Sequence, residues 1–252
     1  MLDSATRLVR EPAVRAGWVL SVCPSAGEAG GCFVPLRRRE RSAGGVPNPE
    51  RARAEAARRA RGRLRRYCAG NRLNRLGTLT YGGSGCHDPA VVRRDLGVFF
   101  RNLRDGLGGE PFPYAWVPEW HSGGHGLHAH FAVGRYIRRG LIDQAWGHGF
   151  VHIKLLGDLT VVSGSLAESR RAAGYLSKYV AKAFADQQIP HRHRYDVAQG
   201  FQPERVRVWG RSAVEVIESA SEMFGGVLPA QSWNSGDQEG WQGPPAVWMA
   251  WD

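Results

Sequence analysis

His128-Ala129-His130 presents two imidazoles inside an apolar, β-rich run, LHAHFAV (127–133). Side chains two apart on a strand leave the same face, so both rings are offered together. The preceding run YAWVPEW (114–120) and the turn SGGHG predict a hairpin. With a four-residue loop at 122–125, Glu119 falls directly opposite His128 and completes a set of two imidazoles and a carboxylate. His121 shares that face as the rival third ligand, and an odd-length loop would turn Trp120 inward instead. Such donors suit Mg²⁺ or Mn²⁺ when phosphate oxygens fill the remaining positions, and would also suit Fe²⁺ or Zn²⁺. A second pair, His191 and His193, lies in the polar, basic stretch IPHRHRY and reads as loop.

The other chemical signal is RRAAGYLSKYVAK (170–182), in which the phrase Y-x-x-K occurs twice. At about 100° per residue, Leu176, Val180, Ala173, Ala183 and Phe184 form a buried stripe. Tyr175, Tyr179, Lys178, Lys182 and Arg171 share the adjoining strip, where they could project over a sheet face. A bland reading is available, because tyrosines at a core border often only pack and lysine stems often only cover apolar surface. A tyrosine nucleophile titrates near pH ~10 and needs a cation or metal to favour the phenolate. A scissile phosphodiester needs charge neutralisation in its transition state. The hairpin offers the metal and the helix offers phenols and lysines.

Charge points to a polyanion. The 252 residues hold 34 Lys and Arg against 23 Asp and Glu, a formal charge of +11, yet beyond Arg211 there is no basic residue. A field of that sign over most of the chain favours nucleic acid. Arg58 and Arg59, Arg138 and Arg139, and Arg171 are the candidate phosphate contacts. Only three of the basic residues are lysine, Lys154, Lys178 and Lys182, and two of them lie in the tyrosine segment. No run approaches the ~18 apolar residues of a membrane span, and MLDSATRLVREPAVRAG lacks the apolar core of a signal peptide. A cytoplasmic protein without a membrane partner is expected. The four cysteines form no C-x-x-C pair, so reduced thiols are expected and a structural zinc site is disfavoured.

The elements that must position these residues can be read locally. GWVLSVC and CFVPL are candidate strands, SAGGVPNP (42–49) is a linker, and the Arg-rich stretch after it is a helix. LGTLTY (76–81) is a strand. Asp88 and Pro89 start an amphipathic helix that GLGG stops. Pro118 demotes its strand to an edge or a bulge. RYIRRGLIDQAW gives a short helix, GFVHIKLL and RVRVWG give strands, and Ser212 caps a helix running to Phe224. The Gly-, Pro- and Trp-rich tail reads as a surface wrap or a partly disordered segment. The division expected is a basic segment at 1–70, a catalytic domain at 71–211, and a helix with an acidic tail at 212–252.

TLTY (78–81), HAHF (128–131) and YLSKYVAK (175–182), in that order and spacing, resemble the motifs of HUH endonucleases, specifically rolling-circle replication initiators of plasmids and phages. The resemblance spans roughly residues 76 to 185. It implies an α+β fold, a central antiparallel sheet with flanking helices in an RNA-recognition-motif-like arrangement. It implies cleavage of single-stranded DNA at a replication origin, leaving a 5′-phosphotyrosine and a free 3′-OH. His128 and His130 match the ligand motif, and Glu119 is similar in position to an acidic ligand on the preceding strand. Tyr179 matches the tyrosine common to these families, and Tyr175 the second tyrosine of phage-type initiators. No G-x-x-x-x-G-K-[ST] occurs, so a host helicase is the expected partner for unwinding. Rival readings are a single-strand DNA transposase with the same chemistry, a cupin-like metal-dependent oxygenase using His128 and His130, and a catalytically silent DNA-binding module.

Overall fold

The computed structural model describes residues 16–36, 49–154, 166–185 and 194–252. The RRRER run, almost all of the 42–49 linker and the His191/His193 pair lie outside the described residues. The chain divides into two compact units, the larger built on Val46–Arg205 with Cys23–Glu28.

The larger unit is a five-stranded sheet between two helical layers. Its strands are β3 (Arg75–Tyr81), β4 (Tyr114–Trp120), β5 (Leu127–Val133), β6 (Gly149–Lys154) and the two-residue β7 (Asp196–Val197), in the order β6-β3-β5-β4-β7. Each neighbouring pair in it runs antiparallel. Alternation along the strands feeds two separate cores. Leu79, Trp116, Leu127, Phe131 and Val151 pack with the helices α2 (Pro89–Gly106) and α3 (Arg139–Trp146). Leu76, Ala115, Val117 and Ala132 pack on the opposite face with α1 (Pro49–Gly70) and α4 (Leu166–Ala185). An α+β architecture with a central antiparallel sheet and flanking helices is therefore present.

Local signals act as expected. The Asp88 carboxylate accepts from the Ala90 N–H at 2.7 Å with Pro89 at the first helical position, and the Ser212 hydroxyl accepts from Glu215 N–H at 3.1 Å. Pro118 fits because His121 and Gly126 share a ladder bond, so alternation turns the position-118 nitrogen away from β5. On that outer side β7 reaches only Ala115 and Trp116. Gly77 faces Phe131 across the ladder, and a Cβ there would lie 2.4 Å from two ring carbons. The ring covers the glycine, in edge-on contact with Phe99.

The smaller unit departs from the reading of the tail. β1 (Gly17–Cys23), β2 (Glu28–Val34), β8 (Val206–Gly210), β9 (Gln231–Asn234) and β10 (Ala246–Ala250) form a second sheet, ordered β8-β1-β2-β10-β9. Helix α5 (Ala213–Glu222) supplies Val216 and Ala220 to its core beside Leu20, Val22 and Met249. The division at residues 70 and 211 thus does not coincide with the compact units: α1 packs in the larger one, and the 212–252 segment shares a sheet with β1. Strand partners nearly two hundred residues apart, such as Trp18 and Gly210, leave no local trace in either segment. The described cysteines are all unpaired.

Two substitutions probe this packing. Leu176→Ala, at a fully buried position, is expected to lower stability by about 2–5 kcal/mol. Gly77→Ala must displace the Phe131 ring and is expected to cost about 1–3 kcal/mol. Both should appear as lower urea midpoints with unchanged slope, whereas Lys178→Ala should stay within about 0.5 kcal/mol.

Candidate active site

The β4–β5 hairpin places Glu119 opposite His128, with Val117 opposite His130. Glu119, His128 and His130 therefore share the face that α4 covers. One strand further, Thr78 pairs with His130, and both histidines are held from β3. His130 Nδ1 is hydrogen-bonded to Thr78 Oγ1 at 2.9 Å and His128 Nδ1 to Thr80 Oγ1 at 3.3 Å. A ring nitrogen fixed in this way leaves Nε2 as the outward donor. His130 Nε2 meets Glu119 Oε2 at 2.8 Å, while the buried His128 Nε2 has no hydrogen-bond partner among the described residues. His121 stacks on His128 with ring centres 4.5 Å apart, and its Nδ1 accepts from Gly123 N–H. Glu119 and His121 thus both adjoin the pair, Glu119 through a bond to His130 and His121 through a ring face.

Helix α4 brings its tyrosines onto the same spot. Ala172, Ala173, Leu176 and Val180 are fully buried, and this fixes the helix rotation. The Tyr179 ring lies nearly parallel over His130, at 3.7 Å and 17°. Its hydroxyl donates to the Tyr175 hydroxyl. Lys182 donates to Glu119 Oε1 at 2.6 Å and sits 5.4 Å from the Tyr179 ring centre. Lys154, from β6, lies 4.0 Å from the Tyr175 ring centre.

Electrostatics follow from this crowding. Burial alone would raise the Glu119 carboxyl, but its bonds to Lys182 and His130 outweigh that and hold it below the usual range. Burial lowers His130, against the pull of Glu119. His128 is also lowered, by burial and then by the imidazoles of His121, His130 and His125. The Tyr179 phenol is pushed well up by burial, by its bond to Tyr175, and by the charges of Tyr175 and Glu119. In this arrangement the phenol is a donor, firmly protonated.

Not every expected residue converges. Lys178 and Arg171 are exposed and point past the cluster, because the packed stripe turns only the nearer part of the polar strip toward the sheet. Arg138 precedes α3 and Arg139 opens it, on the opposite layer, where Arg139 donates to Val151 O and pairs with Asp143. Arg58 and Arg59 are exposed on α1, with Arg59 near Glu55 at 3.6 Å. Sequence reasoning gave no role to Lys154, Thr78 and Thr80. The rarity of lysine was the available signal for the first, and the TLTY stretch beside an H-x-H strand for the other two. Among the described residues, no group of three His, Cys, Asp or Glu side chains is set to hold a metal ion. The donors that come nearest in kind are His128, His130 and Glu119, with Glu119 engaged by Lys182.

Residues 74–184 match a family model for replication-associated proteins of the ORF2 type. This segment is a replication-associated domain of that family. The matched stretch begins just before β3 and ends within α4, so it contains both the hairpin and the two tyrosines. No curated protein and no solved structure matches the chain significantly. The family match supports a role in initiating rolling-circle replication. No described helix is long and apolar enough to cross a membrane.

The threonines can be tested without any ligand. Thr78→Val preserves shape and leaves Nδ1 of the buried His130 unpaired, so a loss of about 1–3 kcal/mol is expected. Thr80→Val should cost less, because its bond is longer and His128 is more exposed. Urea unfolding of both variants checks the order.

Proposed function

We propose that this replication-associated protein nicks and rejoins single-stranded DNA at a replication origin, with Tyr179 as the first nucleophile and Tyr175 as the second. The observation that carries the reading is the Tyr179 ring stacked on His130, with its hydroxyl bonded to that of Tyr175. Two phenols side by side, next to an imidazole–carboxylate cluster and two lysines, suit two successive transfers at one locus.

In each transfer the phenolic oxygen attacks phosphorus and the P–O3′ bond breaks. The DNA 5′ end remains as a phosphotyrosine ester, and O3′ leaves as a hydroxyl after taking a proton. Rejoining is the reverse attack by a 3′-OH on that ester. Lys182 and Lys154 would bind non-bridging phosphate oxygens as charge develops.

A divalent cation, Mn²⁺ or Mg²⁺, fits the donor chemistry through the unpartnered His128 Nε2, His130 Nε2 and the Glu119 carboxylate. Bound there it would offset phosphate charge and favour the phenolate. Lys182 would then release Glu119 Oε1 and become free to meet the phosphate. The threonines keep both Nδ1 atoms engaged, which holds Nε2 toward the site. Lys178, exposed on α4, is a contact for the flanking strand in this reading, as are Arg171, Arg58 and Arg59. With no nucleotide-binding loop in the sequence, unwinding falls to a host helicase.

The test uses 3′-labelled single strands of randomised sequence incubated with Mn²⁺ and resolved under denaturing conditions. The label should travel with the protein, and chelation of the metal should abolish this. Tyr179→Phe is expected to cut adduct yield by about a hundredfold or more, and His128→Ala with His130→Ala to weaken Mn²⁺ binding measured directly. An adduct surviving in the Tyr175→Phe/Tyr179→Phe chain sinks the assignment. Slower migration without any adduct would leave only a binding module.

A further inference from the structure

We propose that the open half of the catalytic face is a stacking platform for an unpaired nucleobase, centred on Phe150 with His152 beside it. This inference rests on the single-strand reading above and adds the place where the strand lies.

Helix α4 packs over β4 and β5. On the same face, the strands on the other side of the histidines stay accessible. Phe150 pairs with Thr80 and His152 with Thr78, and these are the two threonines bonded to His128 and His130. Phe150, Thr80, His128 and Glu119 thus form one row across four strands, with Phe150 two strands from His128, roughly 10 Å away. Phe150 is 70% exposed and His152 is exposed too. The next inward position on β6 is Lys154, over the Tyr175 ring.

An exposed phenyl ring on a row that ends in an imidazole–carboxylate cluster has no packing role. Alternation accounts for this: Val151 goes into the core and Phe150 must point away from it. The ring cannot bind phosphate, but its flat face can take a base of any sequence. Lysines and phenols sit on one side for the phosphate, and a flat apolar surface on the other for the base beside it. That is the layout sheet-based single-strand binders use, with aromatic residues on the strands and charge around them.

Binding of fluorescein-labelled oligothymidylate, measured by anisotropy in EDTA so that no cleavage occurs, tests the platform. Phe150→Ala should weaken single-strand affinity about tenfold, leave affinity for a duplex of equal length unchanged, and be rescued by Phe150→Trp. An unchanged single-strand affinity overturns the proposal, as does an equal loss on duplex, or no measurable single-strand binding by the parent chain. The two readings fail separately. A Tyr179-dependent adduct with normal binding by Phe150→Ala rejects the platform alone. A selective Phe150 effect with no adduct under any metal rejects nicking and leaves the platform.

Discussion

The register of one hairpin governs the site. His121 N–H bonds Gly126 O, so the loop holds four residues, and from that closure every pair up the ladder is fixed. A slip of a single residue would put Trp120 and Pro118 on the α4 face and send Glu119 to the opposite core. The slip is costly because Leu127, Ala129, Phe131 and Val133 are all buried with α2 and α3. The apolar half of β5 therefore holds the polar half in place. The catalytic face is, physically, the by-product of a well-packed opposite face.

Charge at the centre of that face is balanced in a particular way. Glu119 is answered on one oxygen by Lys182 and on the other by His130, while Tyr179, immediately above, is held protonated by burial, by Tyr175 and by the same carboxylate. The phenol is therefore well placed and poorly activated. Adding positive charge at the imidazoles, or removing Glu119's negative charge from beside the ring, shifts that balance toward phenolate. A nucleophile that is quiet until charge arrives suits an enzyme that must not cut every single strand it meets.

Much of this was legible in sequence, for reasons that differ between residues. The hairpin was readable because loop length and period-2 alternation are both local. Rotation of the tyrosine helix was readable only in part. With Leu176 at the origin, Tyr179, Tyr175 and Lys182 fall at about −60°, −100° and −120°, and these reach the cluster. Arg171 and Lys178 follow at about −140° and −160°, and both are exposed. The useful arc ended between the two groups, at a limit set by how α4 sits on the sheet, which no helical wheel contains. Lys154 and Phe150 were opaque for a related reason: their relevance depends on β6 pairing with β3, a contact between segments some seventy residues apart. The second sheet was harder still, since its strands come from both ends of the chain.

The use of lysine in an arginine-rich chain follows the same geometry. Where a guanidinium occurs in the larger unit it is commonly clamped to a carboxylate or a carbonyl, as Arg65 is on Glu28, Arg93 on Asp196 and Arg72 on Ser25 O and Ala69 O. A planar fork suits such fixed bonds. Two of the three lysines instead stand against tyrosine rings, Lys154 over Tyr175 and Lys182 near Tyr179. An ammonium is a compact charge on a flexible stem that can leave one oxygen for another. Lys182 has that freedom, being 65% exposed along its side chain while its tip holds Glu119. A guanidinium there would pair with the carboxylate through two bonds and leave it less readily. Mobility of a single positive charge between Glu119 and an incoming phosphate is thus the property that lysine supplies at position 182 and that the surrounding arginines do not.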